Sequence, residues 1–211
     1  MSMLRGGGPR TRRLLAYLKR RERTSAARRG PLDCSTYPRL FHRHAIVYTD
    51  TADFTLRTAR DGILHFLMVF ARAVSRVEPV LARHGGKLVK VEADSLLMRF
   101  PDVKAACRGV DTVEAVLRRL NRKRAPSEQL HFSYGIGYGD VLDLEGDLFG
   151  LEVNLASKLG EDLAKPGEAL LTPTAAAALD PYVLRRRVVP YRIVTFGKSS
   201  LPVQRLKLAR P

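Results

Sequence analysis

His84-Gly85-Gly86-Lys87-Leu88-Val89-Lys90-Val91-Glu92-Ala93-Asp94-Ser95-Leu96-Leu97-Met98-Arg99-Phe100 is the stretch from which the fold is read. Its glycines are a helix C-cap signal, because a residue without Cβ enters the left-handed region at no steric cost. Two apolar runs follow, residues 87–91 and 96–100, joined around Glu92-Ala93-Asp94. Such runs on either side of a polar turn predict a β-hairpin with an aspartate at its tip. Upstream, Ile63, Leu64, Leu67, Phe70, Ala71, Val74, Val77 and Leu81 recur at helical spacing and predict a long helix, preceded by a short strand over residues 45–49. Downstream, Pro101-Asp102 is a helix start, and Ala105, Ala106, Val110, Val113, Val116, Leu117 and Leu120 form the apolar stripe of a second helix.

Farther along, residues 130–139 read as a strand, 154–163 as a helix, and 169–172 as a strand with a short Ala-rich helix after Pro173; residues 188–208 hold the closing strands. Strand, helix, strand, strand, helix, strand is the ferredoxin-like βαββαβ order. The expected class is α+β, an antiparallel sheet with helices packed on it.

A chain of 211 residues with 45% hydrophobic content suits one domain of moderate size and a short appendage. Its longest apolar stretch, residues 63–71, is interrupted by His65 and is far shorter than the roughly 20 residues of a membrane-spanning helix. No apolar core with a cleavage site follows the Arg-rich start, so the mature chain is expected to begin near Met1 and to be cytoplasmic, with room for a peripheral membrane location. Cys34 and Cys107 stand far apart and outside any metal-ligand spacing, so reduced thiols are expected.

The net charge of +16 is uneven: ten basic side chains between Arg5 and Arg29 face a single acid, Glu22. Residues 1–38 therefore read as a basic N-terminal arm and 39–211 as the folded domain. Within the arm, residues 1–10 are expected to be disordered, 11–23 to form a short amphipathic helix through Leu14, Leu15 and Leu18, and 28–38 to be a linker carrying Pro31 and Pro38. The arm is where an acidic surface or acidic partner would first be felt. A specific nucleic-acid role is not expected, since Tyr17 is the one aromatic residue among the basic positions 1–29.

The candidate chemistry begins with two carboxylates. Asp50 ends the first strand and Asp94 sits at the hairpin tip, and the proposed fold makes these turns neighbours. Paired carboxylates beside a backbone carbonyl suit Mg²⁺ or Mn²⁺, which favour hard oxygen ligands and share them with substrate phosphates. Taken singly, each aspartate reads more readily as an ordinary turn residue than as a cation ligand.

Three motifs supply the context: Asp50-x-x-x-Phe54-Thr55; Gly85-Gly86 running to Asp94; and Gly135-Ile136-x-x-Gly139-x-Val141, then Gly146-Asp147-x-x-Gly150-x-x-Val153-Asn154-x-Ala156-Ser157-Lys158-Leu159, then Pro166-Gly167-Glu168. In this order and spacing they resemble the catalytic domains of class III adenylate and guanylate cyclases, over roughly residues 40–208. The diguanylate cyclases are set aside because no Asp-Glu-Phe follows Gly85-Gly86.

The resemblance implies a cyclase/polymerase-palm fold and a homodimer that converts ATP to 3′,5′-cyclic AMP and pyrophosphate with two Mg²⁺ or Mn²⁺ ions. It implies that Asp50 and Asp94 hold the ions with the Thr51 carbonyl, that Phe54 and Thr55 lie in the substrate site, and that Lys90 and Asp147 read adenine. Asn154 would orient the ribose, and Lys158, one helical turn later, would reach the phosphates. Lys198 is the nearest substitute for a phosphate lysine whose usual place falls near Phe196. Guanylate or another nucleotidyl cyclase, and a catalytically silent cyclase-homology domain, are the alternatives. The sequence departs from the family pattern at Lys158, where arginine is usual, and at Glu92-Ala93, where an apolar residue and glycine are usual. Alanine at 93 is expected to be tolerated if the turn needs no positive φ.

Overall fold

A computed structural model describes residues 8–209. β1 (Phe41–Thr51) and β4 (Phe132–Leu144) pair antiparallel from Phe41 opposite Leu142 to Thr51 opposite Phe132, and form the middle of an eight-stranded sheet. β2 (Lys87–Glu92) and β3 (Ser95–Phe100) are the predicted hairpin, with β3 against the other side of β1. β6 (Ala169–Leu171) runs parallel to β4, and the β7 (Val188–Phe196) and β8 (Ser199–Leu206) hairpin adds to it, giving the order β2-β3-β1-β4-β6-β8-β7. β5 (Asp147–Phe149) folds back on the end of β4.

Alternation along the strands sorts side chains onto two faces. On one, Val47, Leu96, Met98, Phe100, Tyr134 and Ile136 bury against Phe66, Phe70 and Val77 of α4 (Ile63–Arg83) and Val110, Val113 and Leu117 of α5 (Val103–Asn121). The α5 stripe is the expected one, but on α4 the buried face is Phe66, Val69, Phe70, Ala73, Val77, Val80 and Leu81, whereas Ile63, Leu64, Leu67 and Ala71 of the expected stripe are exposed. Asp102 starts α5 as an N-cap, its carboxylate accepting from Ala105 N at 2.7 Å. On the other face, Ile46, Leu97 and Val141 pack with Leu148 and with Val153 and Ala156 of α6 (Leu151–Lys158).

Residues 154–163 are not one regular helix. The α-helix ends at Lys158, and Leu159–Leu163 is a wider π turn in which Ala164 N donates to Leu159 O at 2.8 Å. Ser133 Oγ donates to the Gly160 carbonyl at 2.7 Å, so this turn is bonded to the sheet as well as to itself. A wider turn of this kind re-aims the side chains that follow it.

The N-terminal segment differs from expectation. Residues 1–7 lie outside the described residues, and residues 9 and 10 already belong to α1 (Pro9–Glu22). The expected linker 28–38 lies within a second helix, α2 (Ala26–Leu40), in spite of Pro31 and Pro38. Tertiary bonds outweigh the poor propensity there: Arg21 grips Asp33 through both oxygens at 2.9 and 3.0 Å, and Tyr17 Oη donates to the same carboxylate. The start of α1 is capped from far along the chain. Glu145, in the β4–β5 turn, accepts from Arg10 N at 2.5 Å, Thr11 N at 3.2 Å and Thr11 Oγ1 at 2.9 Å. Although desolvation opposes it, these bonds hold the Glu145 carboxyl down to about 2.

Among the described residues, no helix is long and apolar enough to cross a membrane. Both cysteines are free, Cys34 exposed and Cys107 buried.

Candidate active site

The β2–β3 hairpin delivers Asp94 to the end of β1 that carries Asp50. Ser95 Oγ donates to Asp50 Oδ1 at 3.3 Å, and Thr51 Oγ1 donates to the Asp94 carbonyl at 2.7 Å, tying the two turns together. Asp94 is 9% exposed. Burial pushes the Asp50 carboxyl up to about 6, and the nearby Asp94 charge and then Glu161 push the same way. Burial also raises Asp94, with Glu161 adding to it. A half-buried and a buried carboxylate that disfavour their own ionisation form a site that a cation would relieve. Among the described residues no group of three or more His, Cys, Asp or Glu side chains is placed to hold a metal. A cation bound to this pair would therefore draw on backbone, water or phosphate oxygens, which fits Mg²⁺ and Mn²⁺.

Asp50, Thr51, Asp94 and the start of α3 (Phe54–Asp61) line one surface groove. Thr55 is part of that lining. Phe54 also lines it, but its ring meets Phe66 edge-on at 4.8 Å and packs against the core, so it props α3.

Ala93, in the hairpin turn, has φ +50°. The turn does take the left-handed region, so the condition under which alanine would sit there without strain is not met. A side chain in that region costs roughly 1–2 kcal/mol, part of which glycine returns through its greater unfolded freedom. Ala93→Gly should therefore stabilise the protein by about 0.5–1 kcal/mol, and a thermal melt of the two proteins side by side checks this.

Lys90 and Asp147 are brought together. A register shift between Leu88 and Lys90 places Lys90 opposite Leu97, on the α6 side of the sheet. Its Nζ lies 3.2 Å from Asp147 Oδ2 and 2.8 Å from Glu92 Oε2. Glu92 first, and then Asp147, hold the ammonium pKa up against desolvation. Asp147 also accepts from Leu148 N at 2.9 Å. The turn before it is the one bonded to α1 through Glu145.

Asn154 and Lys158 are exposed on α6, four residues apart and so on one side of the helix. Lys158 Nζ is engaged by Asp162 Oδ2 at 2.6 Å in an exposed pair that exchanges easily with another anion. Lys198 stands in the exposed β7–β8 turn after Gly197, on a hairpin at the opposite sheet edge from β2. Phe196 packs with Leu159, Leu170, Val194 and Val203, which accounts for an apolar residue at that place.

Glu161 was not predicted as a member of this region, and Glu92 was singled out only as a charge where the family has an apolar residue, not as a partner of Lys90. Glu92 could have been found from strand alternation, since residues two apart share a face. Glu161 could not, because the π turn positions it. Ser157 Oγ donates to Glu161 at 2.9 Å, and burial first, then the nearby Glu161 carboxylate, push the half-buried Tyr48 phenol up to about 12.

The fold is shared with solved cyclase domains. An adenylate/guanylate cyclase/hydrolase from Silicibacter pomeroyi superposes with TM-score 0.66 at 22% identity, covering 79% of this chain and 96% of that one. An adenylyl cyclase from P. aeruginosa gives 0.66 at 17%, covering 81% and 97%. The guanylate cyclase domain from Catenaria anguillulae in complex with GTP gives 0.67 at 14%, covering 80% and 97%. In sequence, the chain is 27% identical to a putative adenylate cyclase 3 of Rhizobium meliloti over 58% of this chain and 21% of that protein. It is also 27% identical to an adenylate cyclase of Streptomyces coelicolor over 80% of this chain and 42% of that protein. The chain thus spans less than half the length of these curated relatives. No family model matches it.

Proposed function

We propose that this chain, a domain of the class III nucleotidyl cyclase type by its fold and sequence relatives, converts ATP to 3′,5′-cyclic AMP and pyrophosphate at sites shared across a homodimer. The observation that carries the reading is the β2–β3 hairpin, which sets Asp94 beside Asp50 and Lys90 beside Asp147 within five residues of chain.

In the reaction, the ribose 3′-oxygen attacks the α-phosphorus, the bond to the bridging oxygen breaks, and pyrophosphate leaves. Asp50 and Asp94, with the Thr51 carbonyl, would hold two divalent cations, which supply Lewis acidity to the attacking hydroxyl and charge neutralisation to the leaving group. The chain's remaining work is positioning. Lys90 donates to the adenine N1 acceptor and Asp147 accepts from the exocyclic amine. Asn154 orients the ribose. Lys158 exchanges Asp162 for phosphate oxygens; its point charge lacks the planar fork of an arginine, which predicts slower turnover than an arginine would give. Lys198 is the candidate for the outer phosphates.

Two observations support a shared site. The chain carries both the cation carboxylates and the base and ribose groups, so an isologous dimer would complete two sites at once. Large apolar side chains flank the base-reading groups in the open: Val91 is 47% exposed, Phe149 40% and Leu151 70%. An interface there would cover them.

Sharing is tested by mixing two inactive variants, Asp50→Ala and Asn154→Ala. Random pairing makes half the dimers mixed, each with one intact site, so activity should recover to about a quarter of the unmodified level. No recovery from a mixture shown to exchange subunits would contradict sharing.

A further inference from the structure

We propose that the N-terminal helices and the sheet together form a second anion site, which takes a small free phosphate dianion far from the candidate active site.

α1, the end of α2, the start of β1 and the end of β4 converge on a cavity of about 210 Å³. Arg10 and Arg13 reach it from one side of α1, three residues apart, and Arg39 from the last turn of α2. His42 lines it from β1, and Leu142 and Asp143 from β4. His42 stands eight residues before Asp50 on β1, roughly 26 Å away at 3.3 Å per residue. Such a site is therefore separate from the cation pair and does not depend on the cyclase reading.

The charges around the cavity do not balance. The Asp143 side chain is 10% exposed and already has two cations, Arg10 at 2.6 Å and Arg99 at 3.6 Å. Glu145, the next acid along β4, is occupied by Arg10 N, Thr11 N and Thr11 Oγ1 at the start of α1. Among the described residues no carboxylate pairs with Arg13 or Arg39. Two guanidinium groups are thus left facing a recess without an acid, and a concave surface of one charge sign concentrates small anions.

The donor set selects phosphate. Each guanidinium presents a planar fork that matches two phosphate oxygens, and the His42 ring adds a third donor when protonated. The volume equals that of about seven waters at roughly 30 Å³ each, room for one phosphate group with some of its hydration. An anion held there joins α1 and α2 to both central strands, so its binding should be visible as added stability of the whole chain.

The test titrates inorganic phosphate into the unmodified protein at low ionic strength, without divalent cation, by calorimetry and thermal melts. One saturable site is expected, with a Kd of roughly 0.1–1 mM. At 10 mM phosphate the melting temperature should rise by about 2–5 °C. Arg13→Gln combined with Arg39→Gln should weaken binding at least about tenfold and abolish the rise. Both side chains are exposed, so the fold should tolerate the change. Two charge-matched controls bracket the result. Arg76→Gln with Arg119→Gln removes two exposed charges on α4 and α5, and Lys158→Gln with Lys198→Gln removes the candidate phosphate cations of the active site. Both controls should bind phosphate within about twofold of the parent. Equal weakening in the first control would mean general electrostatic attraction, and loss in the second alone would place the phosphate in the active site; either outcome overturns the proposal. So does the absence of saturable binding up to 10 mM. Vesicles containing phosphatidic acid separate a free phosphate from a lipid-borne one. Capture by vesicles that requires Arg13 and Arg39, in a protein that ignores inorganic phosphate, would also overturn it.

Discussion

Asp50→Asn is expected to lower cyclase turnover by at least about a hundredfold, more than is usual for residues that only support a metal ligand, and at the same time to make the cation-free protein more stable at neutral pH. Both effects have one origin. The Asp50 carboxyl is held at about 6 in the folded chain against an ordinary 3.8, first by burial and then by the neighbouring Asp94 charge. The folded state therefore binds that proton more tightly than the unfolded state does. Its stabilising effect is fully present below about pH 4, declines as pH rises, and is gone once pH has passed about 6. At pH 7 the fold carries an ionised, poorly solvated carboxylate. Because the group is only half-buried, solvent screening reduces the penalty to about 1 kcal/mol. Asparagine removes the charge and can still accept from Ser95. The melting temperature of Asp50→Asn should exceed that of the unmodified protein by roughly 2–4 °C at pH 7 without divalent cation, and by nothing near pH 4. Adding Mn²⁺ should raise the melting temperature of the unmodified protein and leave the variant nearly unmoved. A variant that melts lower at pH 7, or that keeps its turnover, would contradict this account of Asp50.

Gly135→Ala is expected to be the most damaging single-methyl change in the sheet. A Cβ there would stand 1.9 Å from the Ala156 carbonyl oxygen and 2.7 Å from Gly160 N. Both are backbone atoms, so no side chain can rotate away, and α6 with its π turn must move off the sheet. Overpacking of this kind costs roughly 3 kcal/mol or more, a fall in Tm on the order of 6–12 °C for a chain of this size. The displaced helix carries Asn154 and Lys158, so any residual activity should show a raised KM for nucleotide. Thermal melts and Michaelis kinetics read both effects. A variant that melts within about 2 °C of the parent would show that α6 is not seated as described.

Much of the architecture was legible because each central element had a recognisable apolar period, although on α4 that period did not fix the buried face, where Phe66 and Val69 are covered and Leu64 and Leu67 are exposed. Ile63 to Leu81 and Ala105 to Leu120 repeat at helical spacing, and residues 87–91 and 96–100 flank a polar turn. What escaped was decided by contacts distant in sequence. Pro31 and Pro38 argue against a helix locally, and Asp33 bonded to Tyr17 and Arg21 outweighs them. Helical periodicity cannot separate an α-helix from the π turn that follows Lys158, where the sheet's Ser133 engages the Gly160 carbonyl. The positive φ of Ala93 belongs to a turn conformation that residue identity alone did not impose. In the site, motif spacing singled out Asp50, Asp94, Lys90 and Asp147, and the fold brings each pair together. Glu92 shares a strand face with Lys90, which alternation reveals, whereas Glu161 gains its neighbours from the π turn, which the spacing of conspicuous residues does not reveal. Lys198 lies on the β7–β8 hairpin at the opposite sheet edge from β2, away from the hairpin that carries Asp94 and Lys90.

The most direct measurement is to incubate the purified chain with Mn²⁺ and ATP, GTP, CTP or UTP in turn and to identify products by mass spectrometry, with Asp50→Ala as control. The account predicts cyclic AMP with pyrophosphate, and the loss of both in the variant. No cyclic product from any of these nucleotides, in a preparation shown to be dimeric, would contradict it and leave a domain with the cyclase fold but without the activity.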